Sequence, residues 1–134
     1  VPVIQLSLDR TQSPSYHYQL GQELHALRKK GVLIVGSGNL VHNLRLLDWH
    51  RPDTGFDWAV EANDQIRNMI INHRHDPLIH YDRGGEAIRH SIPTPEHYLP
   101  LLYVLGAAQD NESTRIFNDQ TIYGSIGMMS IQIG

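Results

Sequence analysis

The amino-acid sequence predicts an α/β fold in which helices and strands alternate along the chain. Apolar residues recur at helical spacing within residues 16–30 and again within residues 58–72. Between these segments lies a short apolar run bounded by glycines, with the sequence GVLIVG at residues 31–36. Such a run is typical of a central strand that is buried on both faces. Because a helix leads directly into this strand, helices layered against a sheet are expected.

The first elements follow from local patterns. Residues 1–8, with the sequence VPVIQLSL, are rich in β-branched residues and predict a strand. A polar loop containing Pro14 separates this segment from the first helix, predicted over residues 16–30. Basic residues occupy the last helical turn, where cations suit the helix dipole, and Gly31 ends the helix. A turn at residues 37–39 then closes the predicted central strand.

The later elements alternate between helices and polar connections. A long amphipathic helix is predicted over residues 58–72, and residues 73–93 predict a surface excursion around a short helix containing Ala87 and Ile88. The next predicted helix begins at Pro95, with Thr94 as its N-cap and with Glu96 and His97 in its first turn. Residues 123–134 alternate well enough to predict one or two strands.

Composition narrows the functional classes. The 134 residues suit one domain over residues 1–134, and a net charge of −3 without a basic face argues against a nucleic-acid partner. The lack of cysteine excludes disulfides, thiolate metal sites and a cysteine nucleophile. No apolar run is long enough to span a membrane, so the expectation is a cytoplasmic protein without a membrane partner. Since Val1 opens the chain within a strand-like segment, we expect a piece of a longer polypeptide.

Nine histidines raise the prior for a metal or acid–base site. His42 follows the glycine-rich exit of the predicted strand, where ligands usually lie in open α/β sheets. On this segment alone, a structural histidine that caps the next helix is an equal alternative. His97 and Glu96 lie on another element, and together with His42 they offer the residue types of a two-histidine, one-carboxylate metal site. His17 is a further candidate for a residue that supports the ligands.

Two other reaction classes fit less well. Ser37 lies between Gly36 and Gly38, but the nucleophile elbow of serine hydrolases needs one more residue between the serine and each glycine. The same glycines lack the third glycine of a dinucleotide-binding turn.

Two long motifs, in this order, resemble the class III extradiol dioxygenase superfamily, and most closely its DOPA 4,5-dioxygenase-like branch. They are GVLIVGSGNLVHNLR at residues 31–45 and TPEHYLPLLY at residues 94–103. The opening VIQLSL at residues 3–8 and the closing SIQIG at residues 130–134 resemble that branch too. The resemblance therefore extends over essentially the whole chain.

The resemblance implies a mixed sheet flanked by helices and a divalent metal, Zn or Fe(II), at which a catechol such as DOPA reacts with dioxygen. His42 matches the family histidine that acts as an acid–base group or metal ligand, and His97 matches a later metal-site histidine. Two further histidines come from the N-terminal half of the family domain, which is missing from this chain. The resemblance therefore implies the C-terminal part of a single domain, whose partner is the missing N-terminal half. A non-catalytic zinc-binding domain of the same fold and an inactive proteolytic fragment are the alternatives.

Overall fold

A computed structural model describes all 134 residues as five α-helices and four short β-strands. The helices are α1 (Pro14–Arg28), α2 (Asp57–Ile71), α3 (His75–Ile79), α4 (Glu86–Ser91) and α5 (Leu99–Gly106). The strands are β1 (Thr114–Phe117), β2 (Thr121–Ile122), β3 (Ile126–Gly127) and β4 (Ser130–Ile133). None of the helices has both the length and the apolar character needed to cross a membrane.

Helices α1 and α5 pack at close range because each presents a glycine to the other. A Cβ atom on Gly21 would lie 2.5 Å from the carbonyl oxygen of Tyr103, and one on Gly106 would lie 2.2 Å from that of Tyr18. Helix α1 begins at Ser13, whose hydroxyl accepts a hydrogen bond from the amide of Tyr16, with proline at the first helical position. Its predicted extent is confirmed to within two residues at each end.

Helix α2 places its apolar side in the centre of the core, as its helical spacing predicts. Its residues Ala59, Ala62, Ile66 and Ile70 are all at most 1% exposed. They belong to the same buried cluster as Val41, Leu78, Ile88 and Leu102. The core therefore joins α2 to the segment that carries His42 and to α5.

The strands form two antiparallel pairs. Strand β1 pairs with β4, with Thr114 opposite Ile133, and β2 pairs with β3. An isolated bridge between His42 and Ile126 attaches the His42 segment to the second pair. The α/β class is confirmed, with the strand pairs lying toward the C-terminal end of the sequence.

The strands predicted at residues 1–8 and 31–36 do not form, because neither segment pairs with a neighbour. No backbone hydrogen bond involves residues 1–8 or residues 33–38. The run predicted to be buried on both faces is mostly exposed, with Leu33 at 83% and Val35 at 76%. A strand exists only through hydrogen bonds to a neighbour, and the described chain provides none at these segments.

The helix predicted from Pro95 begins four residues later, at Leu99. Residues 95–98 form a turn in which the amide groups of Tyr98 and Leu99 both donate to the carbonyl oxygen of Pro95. Pro100 explains the delay, since it has no N–H group to donate to the carbonyl of residue 96, four positions earlier. The Thr94 hydroxyl bonds the Glu96 carboxylate instead of capping a helix.

Candidate active site

His42 lies on a segment held against the core from both sides. Its amide donates a hydrogen bond to the carbonyl oxygen of Ser91, and its backbone forms the bridge to Ile126. The neighbouring Asn43 donates through its side chain to the carbonyl of His90 and accepts the hydroxyl of Ser125 at its own carbonyl. These bonds fix the backbone on which the imidazole is mounted.

Both ring nitrogens of His42 face backbone carbonyl oxygens. The Nδ1 atom lies 2.9 Å from the carbonyl oxygen of Asn39, and the Nε2 atom lies 2.9 Å from that of Thr94. Sequence reasoning missed these two partners, because a backbone carbonyl leaves no mark on residue type. A neutral imidazole has a single N–H group, so it satisfies only one of the two contacts at a time.

The environment of His42 favours its uncharged form. The residue is 3% exposed, and this burial lowers the pKa of its imidazole. The carbonyl groups of Thr94 and Asn39 oppose that shift, while the nearby His97 adds to it. A buried, neutral imidazole is able to accept a proton or to bind a metal ion.

The structure brings His97 to the same place. The two imidazole rings lie 5.0 Å apart between centroids, at an angle of 47°. Gly38 makes this approach possible, because a Cβ atom there would lie 2.1 Å from the carbonyl oxygen of His97. The glycine-rich exit of the predicted strand therefore lets the chain segment that leads to His42 lie against the loop that carries His97.

A cavity of about 330 Å³ opens beside His97. Its lining combines this imidazole and the hydroxyl groups of Ser37 and Ser130 with apolar side chains that include Leu101 and Ile131. The volume lies at the lower end of the range of small-molecule sites. A mixed lining of this kind suits an aromatic ring that carries polar substituents.

Glu96 does not complete a three-ligand set with the two histidines. Its carboxylate accepts the Thr94 hydroxyl at 2.9 Å, and a hydrogen bond from its own backbone amide is the main cause that lowers its pKa. No group of three or more histidine, aspartate or glutamate side chains is placed to hold a metal ion. His42 and His97 fit a metal in donor type, and the carbonyl of Asn39 at Nδ1 is the usual anchor of a ligating imidazole. Two imidazoles alone are fewer protein donors than a complete metal site of this kind needs.

His17, which the sequence offered as a supporting residue, and two tyrosines of the chain have structural surroundings. His17 is fully buried, and its Nδ1 lies 2.9 Å from the hydroxyl of Tyr103, away from the histidine pair. Tyr98 is fully buried and donates its hydroxyl to the carbonyl of Leu78, while Tyr123 packs against Trp49. None of these side chains contacts the two imidazoles in the structure.

Comparison with known proteins gives consistent matches. Residues 1–132 match the family described as the catalytic LigB subunit of aromatic ring-opening dioxygenase. A 4,5-DOPA dioxygenase extradiol from Escherichia coli K12 is 41% identical over the whole chain and half of its own length. One from Mirabilis jalapa is 30% identical over 88% of the chain and 44% of its own length.

A solved structure agrees with the fold. The crystal structure of an uncharacterized protein from Escherichia coli K12 matches with a TM-score of 0.87 and 40% identity, over 96% of this chain and 53% of that one. The chain therefore spans about half the length of the relatives that it matches.

Proposed function

Because this chain belongs to the family of catalytic LigB subunits of aromatic ring-opening dioxygenases, we propose that it forms part of an extradiol enzyme that opens a catechol ring with dioxygen. The names of the relatives support DOPA, cleaved at its 4,5 bond, as the substrate. One observation of the structure supports the proposal most directly. Two motifs far apart in sequence bring His42 and His97 within 5.0 Å, ring to ring.

His42 and His97 are the residues of this chain that would hold a divalent metal, Zn or Fe(II). When bound, the metal would supply positive charge that lowers the pKa of the catechol hydroxyls, and iron would add redox chemistry that zinc lacks. Imidazole nitrogen suits both ions. The remaining ligands would come from the complementary half of the domain, which the relatives contain and this chain does not.

The residues of the chain itself support substrate binding and proton transfer. With Nδ1 held by the Asn39 carbonyl, His42 has one ring nitrogen left, so it serves either as a metal ligand or as an acid–base group. In the second role its burial and lowered pKa leave it uncharged near neutral pH and able to take a proton from a catechol hydroxyl. The carbonyl of Asn39 holds its Nδ1 and thereby orients Nε2 toward Thr94, in the loop that leads to His97. The cavity beside His97 offers the aromatic ring apolar contacts with Leu101 and Ile131.

The exposed apolar segments support the complementary half as the partner. Residues 1–8 and 33–38 have unpaired backbone groups, and most of their apolar side chains lie in solvent, although Leu8 packs against the core. The exposed large apolar residues there are Val1, Val3, Ile4, Leu6, Leu33 and Val35. A strand edge with this character is the template for pairing with another chain segment. We propose that the complementary half adds strands to these two segments, and that residues 1–134 are the C-terminal part of one domain.

The test uses the protein that carries both halves, purified without added metal. His42→Ala should lower the rate of DOPA ring opening by about 10²- to 10⁴-fold, the usual contribution of an acid–base group. His97→Ala should lower the bound metal measured by mass spectrometry. His50→Ala is the matched control, because its exposed side chain has no contact with the site and should change neither reading. Oxygen uptake and the yellow ring-opened product report the reaction.

The outcomes separate the proposal from its alternative. Full activity in His42→Ala would remove this residue from the mechanism. Stoichiometric zinc in the wild-type protein, with no oxygen uptake even after iron is supplied, would instead support a non-catalytic zinc-binding domain.

A further inference from the structure

A polar cleft of about 300 Å³ lies where the turn after residues 1–8 meets the segment leading to His97. Its lining contains no large apolar side chain, unlike that of the cavity beside His97. The lining residues are Arg10, Thr11, Thr94, Pro95 and Glu96. A cleft of this composition favours a charged, strongly hydrated group over an aromatic ring.

The cleft contains one cation and one anion that are not paired with each other. Arg10 forms no ion pair with any carboxylate of the chain. It nevertheless lines the same cleft as Glu96. Opposite charges held apart across a cleft complement a ligand group that carries both signs.

Local hydrogen bonds fix the turn that carries Arg10 and the carboxylate of Glu96. The Asp9 carboxylate accepts the amide of Thr11 at 3.0 Å and its hydroxyl at 2.6 Å, which closes the turn that presents Arg10. On the other side, the Thr94 hydroxyl donates to the Glu96 carboxylate. The Glu96 carboxylate is therefore oriented before a ligand arrives, while the exposed Arg10 guanidinium is free to turn toward one.

The cleft adjoins the histidine pair. Thr94, one of its lining residues, has its carbonyl oxygen 2.9 Å from the Nε2 atom of His42. Glu96, another, directly precedes His97 in the sequence. A substrate that reaches the two imidazoles with its ring would therefore have its substituent close to this cleft.

We propose that the cleft binds the zwitterionic α-amino-acid group of a catechol substrate, with Arg10 on its carboxylate and Glu96 on its ammonium group. The inference rests on the proposed function, and it adds the residues that select an amino acid over other catechols. Arg10 and Glu96 are thus specificity-determining residues.

The experiment measures binding and turnover separately in the protein that carries both halves. Three catechols are titrated by calorimetry under argon: L-DOPA, dopamine, which lacks the carboxylate, and 3,4-dihydroxyphenylpropionate, which lacks the ammonium group. Arg10→Gln should weaken binding of L-DOPA and the propionate by about 3- to 10-fold and leave dopamine unchanged, as expected for one charge-assisted contact. Glu96→Gln should weaken binding of L-DOPA and dopamine and spare the propionate. Arg115→Gln and Glu23→Gln are matched controls, since both side chains are exposed and unpaired.

Each outcome decides the inference. Equal effects on all three ligands, no effect of either variant, or no binding of L-DOPA by the wild-type protein would overturn it. Turnover is then measured in air. If the ligands bind with the expected pattern and no ring opens, the reaction proposed above fails while the assignment of the cleft holds.

Discussion

Leu33 tests most directly whether another part of the domain covers the exposed apolar segments. In this chain its side chain is 83% exposed and its backbone makes no hydrogen bond. In the 134-residue chain alone, Leu33→Ala should therefore change the free energy of unfolding by no more than about 0.5 kcal/mol, as for other exposed positions. In the protein that carries both halves, the same change should cost about 2–5 kcal/mol, the range for a buried leucine.

Urea denaturation of both forms measures these two values. Leu102→Ala is the control, because Leu102 is fully buried here and its loss should destabilise either form by about 2–5 kcal/mol. Amide hydrogen exchange gives a second reading that needs no cooperative transition. The amide groups of residues 33–38 should exchange rapidly in the isolated chain and slowly once the complementary half is present.

The result that would refute this reasoning is a small effect in both forms. If Leu33→Ala costs less than about 0.5 kcal/mol in the larger protein while Leu102→Ala costs several, Leu33 stays in solvent there. The complementary half would then dock elsewhere, and the unpaired segments would need another explanation.

Two further predictions concern the approach of the His97 loop and the stability of the fold. Gly38→Ala should displace the loop of His97, because the new Cβ atom would clash with the His97 carbonyl oxygen. We expect a loss of about 1–3 kcal/mol in stability together with loss of ring opening. Gly85→Ala is the control: no atom lies within 4 Å of the added Cβ, so thermal stability and activity should stay intact. Glu112 tests the pH dependence of stability, since its two hydrogen bonds with Arg28 hold its pKa below the usual value. A lowered folded-state pKa stabilises the fold above the unfolded-state pKa. This contribution, about 1 kcal/mol or less for a partly buried bidentate pair, should therefore be lost as pH falls through the lowered value. Denaturation of Glu112→Gln at several pH values should show a smaller loss of stability at low pH than the wild-type protein shows. An unchanged pH profile would assign that loss to other carboxylates.

Helices α1 and α2 could be predicted from the sequence because the pattern that marks them is local. The spacing of apolar residues in α1 and α2 reflects one face of each helix, and both were predicted nearly to their ends. The approach of His42 to His97 is a long-range fact that helical periodicity does not reveal. It was expected only because the two motifs resemble those of a family in which these histidines share one site.

The rest could not be predicted because it depends on partners distant in sequence. Strand β1 has four residues of mixed polarity and becomes a strand through its register with β4. The run at residues 31–36 has the composition of a buried strand. Such a run is buried only where neighbouring strands pair with it, and the described chain supplies none. The start of α5 is different, since the missing N–H group of Pro100 was visible in the sequence and outweighs the capping pattern at Thr94.

Covering the apolar face and completing the metal site are expected to be one event. The position of the His42 imidazole is set within this chain, by the carbonyl groups of Asn39 and Thr94 and by the backbone bond to Ser91. The segment that precedes His42 is the same one whose backbone is unpaired, and Gly38 within it touches the His97 loop. A strand added there would pack against the segments that carry both histidines, and the half that contains it would bring the remaining ligands. Metal affinity and association of the halves should therefore be thermodynamically linked, so that each strengthens the other by the same factor.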